Sequence, residues 1–156
     1  MTHFPSLHPD TIEFALRRAL SAFLALLLAS CAVTFVAPYD QITDEAVQEL
    51  AKKTEIFITD VTLARGSYSQ HAGFYREVEG SLGAIELRAS LYPKNEGELD
   101  LINRLRTAFQ KLKQIHQEVG PFRPAEAEPV RSLLRSLIQV ELAKKRSAGI
   151  SAPTRS

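Results

Sequence analysis

The chain has 156 residues, with 19 Lys and Arg against 18 Asp and Glu, so its formal net charge at pH 7 is +1. Apolar residues make up 45% and charged residues 24%, which excludes a disordered chain and a protein with several membrane spans. The near-zero charge argues against a dedicated nucleic-acid binder, which carries a basic excess. The single cysteine excludes an internal disulfide and any zinc or iron–sulfur site built from several cysteines.

The first predicted element is a secretory leader. Residues 19–30 carry no charge, and Arg17 and Arg18 stand just before them. Basic residues followed by a short apolar stretch and then small residues are typical of a signal peptide. Its arginines stay on the cytoplasmic side while the apolar segment enters the bilayer. We therefore expect residues 1–30 to be a signal peptide.

The end of this leader, Leu28-Ala29-Ser30-Cys31, resembles a bacterial lipobox, with a leucine, two small residues and a cysteine. The resemblance implies diacylglyceryl transfer to the Cys31 sulfur, cleavage before Cys31 and acylation of the new amino group, as with palmitate. Several acyl chains make attachment effectively permanent, because each buried CH₂ contributes about 0.8 kcal/mol. Ala32, rather than an aspartate, resembles the outer-membrane sorting signal of Gram-negative bacteria.

A single-pass anchor is the alternative interpretation of this segment. The uncharged run continues past Cys31 to Pro38, and about 20 apolar residues can cross a bilayer as one helix. Cys31 would then be a small buried apolar residue of that helix. Both interpretations place the rest of the chain outside the cytoplasm, because Arg17 and Arg18 precede the apolar run and Asp40 follows it.

Residues 40–146 are predicted to form a helical domain, because apolar residues recur there at alternating spacings of three and four. Short breaks separate the periodic segments and no strand-like alternation occurs. This pattern predicts an all-α fold, an antiparallel four-helix bundle that follows an N-terminal signal or anchor helix. Residues 31–39 are expected to hold the lipidated cysteine and a tether, and residues 147–156 to form a disordered tail.

The first two helices are predicted with different intrinsic strengths. The first has Asp40 or Thr43 as its N-cap and an unbroken apolar stripe. The second should run over about residues 69–91, but Gly73 and Gly80 each cost about 1 kcal/mol relative to alanine. Glycines at these positions favour close packing against a neighbouring helix or a bend.

The third helix is predicted between two breaks, residues 93–97 and Gly120-Pro121. Pro129 fits the first turn of a fourth helix, so residues 122–128 are expected to be a linker. The first helix is acidic and the fourth is basic. This charge asymmetry predicts either pairing between the two helices or a basic surface that lies on anionic lipid.

Few residues of the mature chain expected after cleavage before Cys31 are candidates for catalysis or metal binding. His71 and His116 are its only histidines, and in a bundle they could bind a metal with Glu118 or Glu141 as further ligands. The alternative is that both histidines are partly buried and hydrogen-bonded. No phosphate loop, dinucleotide fingerprint, nucleophile elbow or metalloprotease motif occurs, so the sequence favours a protein that is not an enzyme and holds no cofactor or metal.

Aromatic residues concentrate on or near the second helix, and they either fill the core or line a groove for a small ligand. They are Tyr68, Phe74, Tyr75 and Tyr92.

Several segments resemble a group of small, uncharacterised bacterial lipoproteins. The segments are His71-x-x-Phe74-Tyr75, Arg88-Ala89-x-x-x-Pro93-Lys94-Asn95-Glu96, the third helix as far as His116, and residues 140–146. The resemblance covers about residues 39–146. It implies a lipoprotein leader followed by a helical domain, and it brings no activity, cofactor or catalytic residue.

The sequence therefore predicts a lipoprotein anchored in the cell envelope through acylated Cys31 and facing the periplasm, in the outer membrane of a Gram-negative bacterium. Its domain is expected to be an interaction module, with an envelope protein or peptidoglycan as partner and no nucleic acid. The alternatives are a membrane-tethered carrier of a metal or small ligand that uses His71, His116 and the second-helix aromatics, or a single-pass membrane protein.

Overall fold

The computed structural model describes residues 37–150, which form four α-helices and no β-strand. Helix α1 spans Gln41–Leu63, α2 Tyr68–Ala89, α3 Glu96–Glu118 and α4 Pro124–Ser147. The prediction of an all-α fold with four helices is confirmed. The proposed signal peptide, Cys31 and the end of the proposed tail lie outside the described residues.

The helices form a ring in which α1 packs against α2, α2 against α3, α3 against α4, and α4 against α1. Short connections and this order make an antiparallel bundle. Within residues 37–150, no helix is both long and apolar enough to cross a membrane. The apolar stripes of all four helices meet in one core, which includes Val47, Leu50, Val78, Leu82, Ile102, Leu105, Phe109, Leu134 and Leu137.

Asp40 both caps α1 and ties it to α2. Its side chain accepts a hydrogen bond from the Ile42 N–H at 3.4 Å and another from the Thr43 hydroxyl at 2.7 Å. Arg88 donates to both of its oxygens, at 2.8 and 2.9 Å. The Arg88 guanidinium lowers the pKa of Asp40 to about 2, although burial opposes the shift. Of the two predicted N-caps, the structure selects Asp40.

The predicted linker over residues 122–128 is wrong, because α4 begins at Pro124. The Arg123 N–H donates to the Glu126 carboxylate at 2.6 Å, which caps the helix start. Proline suits this first turn because its missing N–H would have had no helical partner. Pro129 therefore lies inside α4, where it cannot donate to the carbonyl of Ala125.

The glycines of α2 do not mark close packing, so the first of the two reasons predicted for them is wrong. A Cβ atom built on Gly73, Gly80 or Gly83 would meet no neighbouring atom within 4 Å. The helix nevertheless runs unbroken from Tyr68 to Ala89. Its apolar face holds it in place, since Val78, Leu82 and Ile85 are buried in the core.

Candidate functional site

The two ends of the bundle bury very different side chains. Where α1 and α3 end and α2 begins, rings pack together; we call this the aromatic end. Phe57 stacks on Phe74 with 4.0 Å between ring centroids and meets Tyr75 edge-on at 5.2 Å. The other rings of this cluster are Tyr68, His71, His116 and Phe122.

His116 is the polar centre of the aromatic end, and it is buried. Its Nε2 lies 2.9 Å from the carbonyl oxygen of Gly66, which can only accept a hydrogen bond, so Nε2 carries the proton. Its Nδ1 lies 3.1 Å from the Tyr75 hydroxyl and accepts from it. Burial lowers the pKa of His116, and the nearby His71 lowers it further. The imidazole is therefore held neutral with both nitrogens used.

Gly66 contributes to the aromatic end in two ways. Its carbonyl oxygen accepts from His116, and its lack of a side chain leaves room for His71. A Cβ atom at this position would lie 2.3 Å from Nε2 of His71. The turn between α1 and α2 therefore brings its backbone against an imidazole, where only glycine fits without a shift.

The structure brings the two predicted histidines together but does not assemble a metal site from them. Their ring centroids are 6.0 Å apart, and both nitrogens of His116 already have hydrogen-bond partners. Glu118 accepts from Gln114, and Glu141 lies at the opposite end of the bundle. Within residues 37–150, no group of three or more potential ligands is arranged to hold a metal ion.

At the opposite end, where α1 and α3 begin and α2 and α4 end, charged side chains are buried; we call this the ionic end. Lys144 donates to the Glu98 carboxylate and, at 2.8 Å, to Glu141. The side chains of Lys144, Glu98 and Glu141 are only 3%, 1% and 0% exposed. One oxygen of each carboxylate, Glu98 Oε1 and Glu141 Oε2, has no hydrogen-bond partner.

Two carboxylates face one ammonium group in this triad. Burial raises the pKa of Glu141 to about 7; Lys144 opposes this shift, whereas Glu98 adds to it. Burial works against the charge of Lys144, but its bonds to Glu141 and Glu98 outweigh burial and raise its pKa. Near neutral pH, the triad therefore exists both with Glu141 protonated and with Glu141 ionised.

Sequence reasoning missed this triad, although a signal was available. The buried positions of α4 continue at alternating spacings of four and three from Leu134 to Leu137, Glu141 and Lys144. Glu141 and Lys144 thus lie on the apolar stripe itself, whereas Leu142 lies off it and is 39% exposed.

Four of the five basic residues of α4 pair with acids, and only Arg146 is exposed without an ion pair within residues 37–150. Arg131 binds Glu55 of α1 through two nitrogens, at 2.8 and 2.9 Å. Lys145 lies 3.7 Å from Asp44 of α1. The structure therefore agrees with pairing between the acidic first helix and the basic fourth helix.

An open concavity lies between α3 and α4, away from both buried clusters. It has a volume of about 540 Å³ and a mostly apolar floor; we call it the α3/α4 groove. Arg104 and Lys111, seven residues apart on α3, stand at its rim. Its one acidic residue, Glu126, is already bonded to Arg123. The floor is formed by Ala108, Leu112, Ile115, Pro129 and Leu133.

Comparisons of this chain with protein-family models, with curated protein sequences and with solved structures found no match.

Proposed function

We propose that this protein is a membrane-anchored lipoprotein of the bacterial cell envelope, lipidated at Cys31, whose four-helix domain is a non-enzymatic interaction module. The α3/α4 groove carries the interaction part of this proposal. Its apolar floor is partly exposed beside two cationic side chains, and such a surface suits a protein partner.

The anchor part is supported by the leader and by the packing of the residues just before α1. Ala37 is buried, and the Tyr39 hydroxyl donates to Asp44 at 2.8 Å, so the chain is packed onto the ionic end before α1 starts. Cys31 lies six positions before Ala37 in the sequence, so a lipid there would be attached close in sequence to this packed segment. The groove lies on the flank of the bundle, where a neighbour at the same membrane could reach it.

The non-enzymatic part is supported by how the titratable groups are used. His116, Glu98 and Glu141 are all buried, and each has a hydrogen-bond partner within the bundle. None of them is offered to a substrate. An envelope protein or peptidoglycan is the partner class we propose for a domain in the periplasm.

A single-pass anchor is the second candidate for attachment, because the uncharged run of residues 19–38 is long enough to span a bilayer. Intact mass and membrane fractionation of the wild type beside Cys31→Ser separate the two. We expect a wild type that begins at Cys31 and carries acyl mass, and a variant that keeps an unlipidated leader. Two membrane-bound proteins with residues 1–30 intact and no added mass would instead establish the single-pass anchor.

A further inference from the structure

The α3/α4 groove has a counterpart on the same molecule, the outward face of α1. Ile56 and Leu63 are 54% and 79% exposed there, seven residues apart on one side of the helix. The exposed acids Glu49 and Asp60 lie on the same outward side. We call these four residues the outer stripe of α1. An apolar stripe with acidic flanks matches a groove with an apolar floor and a cationic rim.

The charges of the two surfaces are opposite in sign. The outer stripe has two acids and two nearby bases, Lys52 and Lys53, which lie 3.9 and 3.7 Å from Glu49; Lys53 also pairs with Glu77 of α2. On the groove side, Arg104 lies 3.7 Å from Asp100, and both side chains are well exposed. Lys111 has no ion pair within the described part of the chain. Water-exposed pairs of this kind are weak, so these side chains are free to exchange partners.

The two surfaces also lie at the same height in the bundle. Neighbouring residues of α4 fix the level, because Lys144 binds Glu98 of α3 and Lys145 lies against Asp44 of α1. Asp44 and Glu98 therefore lie at similar levels, to within the reach of a lysine side chain. From this level, α1 and α3 rise in the same direction by about 1.5 Å per residue.

When heights are counted from this level, residues of opposite charge on the outer stripe and at the groove rim lie at similar heights. Glu49 lies five residues above Asp44 and Arg104 six above Glu98, a difference of about 1.5 Å. Asp60 and Lys111 differ by about 4.5 Å, within the reach of a lysine side chain. Ile56 falls between Ala108 and Leu112, and Leu63 lies close to the level of Ile115.

We infer that the outer stripe of α1 in one copy docks into the α3/α4 groove of a second copy, with its α1 parallel to the α3 that it contacts. The inference deepens the proposed function, since it names the partner of the groove. Because α1 of one copy runs parallel to α3 of the other, the ionic ends of both copies lie on the same side, as two chains anchored in one membrane require.

This contact joins two different surfaces, so it does not close on itself. Each copy that receives α1 in its groove still presents its own α1 to the next copy. The expected assembly is a row of upright bundles in the plane of the membrane, with a free groove at one end and a free stripe at the other.

Cross-linking of two cysteine variants in the same vesicles tests the contact in the full chain. Copies with Ile56→Cys are mixed with copies with Thr107→Cys, which lines the groove, and treated with a short bismaleimide. Leu87→Cys, 67% exposed on α2, replaces Ile56→Cys as the matched control. We expect at least fivefold more cross-linked product from the first mixture. Equal yields in the two mixtures would overturn the inference.

A second pair of mixtures tests the direction. Leu63 and Glu118 are almost level, whereas Leu63 and Asn103 are about 20 Å apart in height. Leu63→Cys should therefore cross-link to Glu118→Cys and not to Asn103→Cys. The reverse result would mean antiparallel docking and would contradict the inference.

A charge exchange tests the rim. Glu49→Arg in the Ile56→Cys copy should lower the cross-linking yield severalfold, and Arg104→Glu in the Thr107→Cys copy should restore it. Arg76→Glu, an exposed change on α2, is the matched control and should restore nothing. Failure of the exchange to restore the yield would contradict the assigned pairing.

The wild type, whose only thiol is Cys31, gives the background and separates the two proposals. Cross-linking between position 56 and position 107 with an unmodified Cys31 would overturn the lipid anchor and leave the docking contact in place. Acylated Cys31 with no specific cross-linking would overturn the docking contact and leave the lipid anchor in place.

Discussion

The aromatic end and the ionic end both bury polar side chains, but they satisfy them differently. At the aromatic end, His116 is neutral and each of its nitrogens has one partner. At the ionic end, two carboxylates share one ammonium group, and one oxygen of each carboxylate is unpaired. One tautomer of a neutral imidazole satisfies both of its nitrogens, whereas a buried carboxylate needs a donor for each of its two oxygens as well as a counter-charge. The two ends should therefore respond differently to mutation and to pH.

The largest expected effect is the loss of Lys144. Lys144→Met leaves Glu98 and Glu141 buried without a counter-charge, and breaking a buried ion pair on one side costs about 3–5 kcal/mol. Urea unfolding followed by circular dichroism measures the free energy of unfolding. Lys52→Met is the control, because its pair with Glu49 at 3.9 Å is exposed on both sides and should contribute under about 1 kcal/mol. Equal losses in the two variants would contradict the importance of the triad.

A smaller loss is expected at the aromatic end. His116→Phe keeps a ring in the cluster but leaves the Tyr75 hydroxyl and the Gly66 carbonyl unpaired, so we expect a cost of about 2 kcal/mol. Tyr75→Phe leaves only one nitrogen without a donor and should cost about 1 kcal/mol. The same unfolding measurement compares the two, and a greater loss for Tyr75→Phe would refute the central place of His116.

The two ends should respond to pH in opposite directions. With a folded pKa of about 7 for Glu141, against roughly 4.3 for an unfolded glutamate, the folded state keeps a proton that the unfolded chain releases. Its contribution to stability therefore grows as pH falls from 7 towards 4.3. His116, with its lowered pKa, stabilises the folded state above about pH 6.5, and that contribution is lost on acidification.

Glu141→Gln separates these opposing contributions. The amide can still accept a hydrogen bond from Lys144 but cannot take up a proton, so the gain on acidification disappears. We expect the free energy of unfolding of this variant to fall more steeply between pH 7 and pH 5 than that of the wild type. Parallel pH profiles for the two proteins would refute the assignment of this titration to Glu141.

The smallest effects come from glycines. Gly80→Ala and Gly83→Ala meet no atoms and should each stabilise the protein by about 0.5–1 kcal/mol, since alanine favours a helix. Gly66→Ala should destabilise it, because the new Cβ would collide with His71 at the aromatic end. Thermal unfolding of the three variants measures the difference, and a destabilising Gly80→Ala would show that α2 has an unseen neighbour.

Much of the fold could be predicted because helical periodicity depends on local sequence. The stripe from Val47 to Val61 and the cap at Asp40 required only spacing and side-chain chemistry. The start of α4 was missed because Pro124 and Pro129 both fit a first turn, and only the Arg123–Glu126 bond decides between them. Glu98 and Lys144 are 46 positions apart in sequence. Their pairing depends on how α3 packs against α4, which no local pattern contains.

The ring order of the helices also bears on how fast the chain folds. Three of the four packed helix pairs join consecutive helices, and only α1 with α4 brings distant parts of the described chain together. Chains dominated by local contacts fold in microseconds to milliseconds, because little loop entropy is lost before packing begins. We expect the pairing of α4 with α1 to be the slowest step of assembly. The Arg131–Glu55 and Lys145–Asp44 contacts would then form last on folding and break first on unfolding.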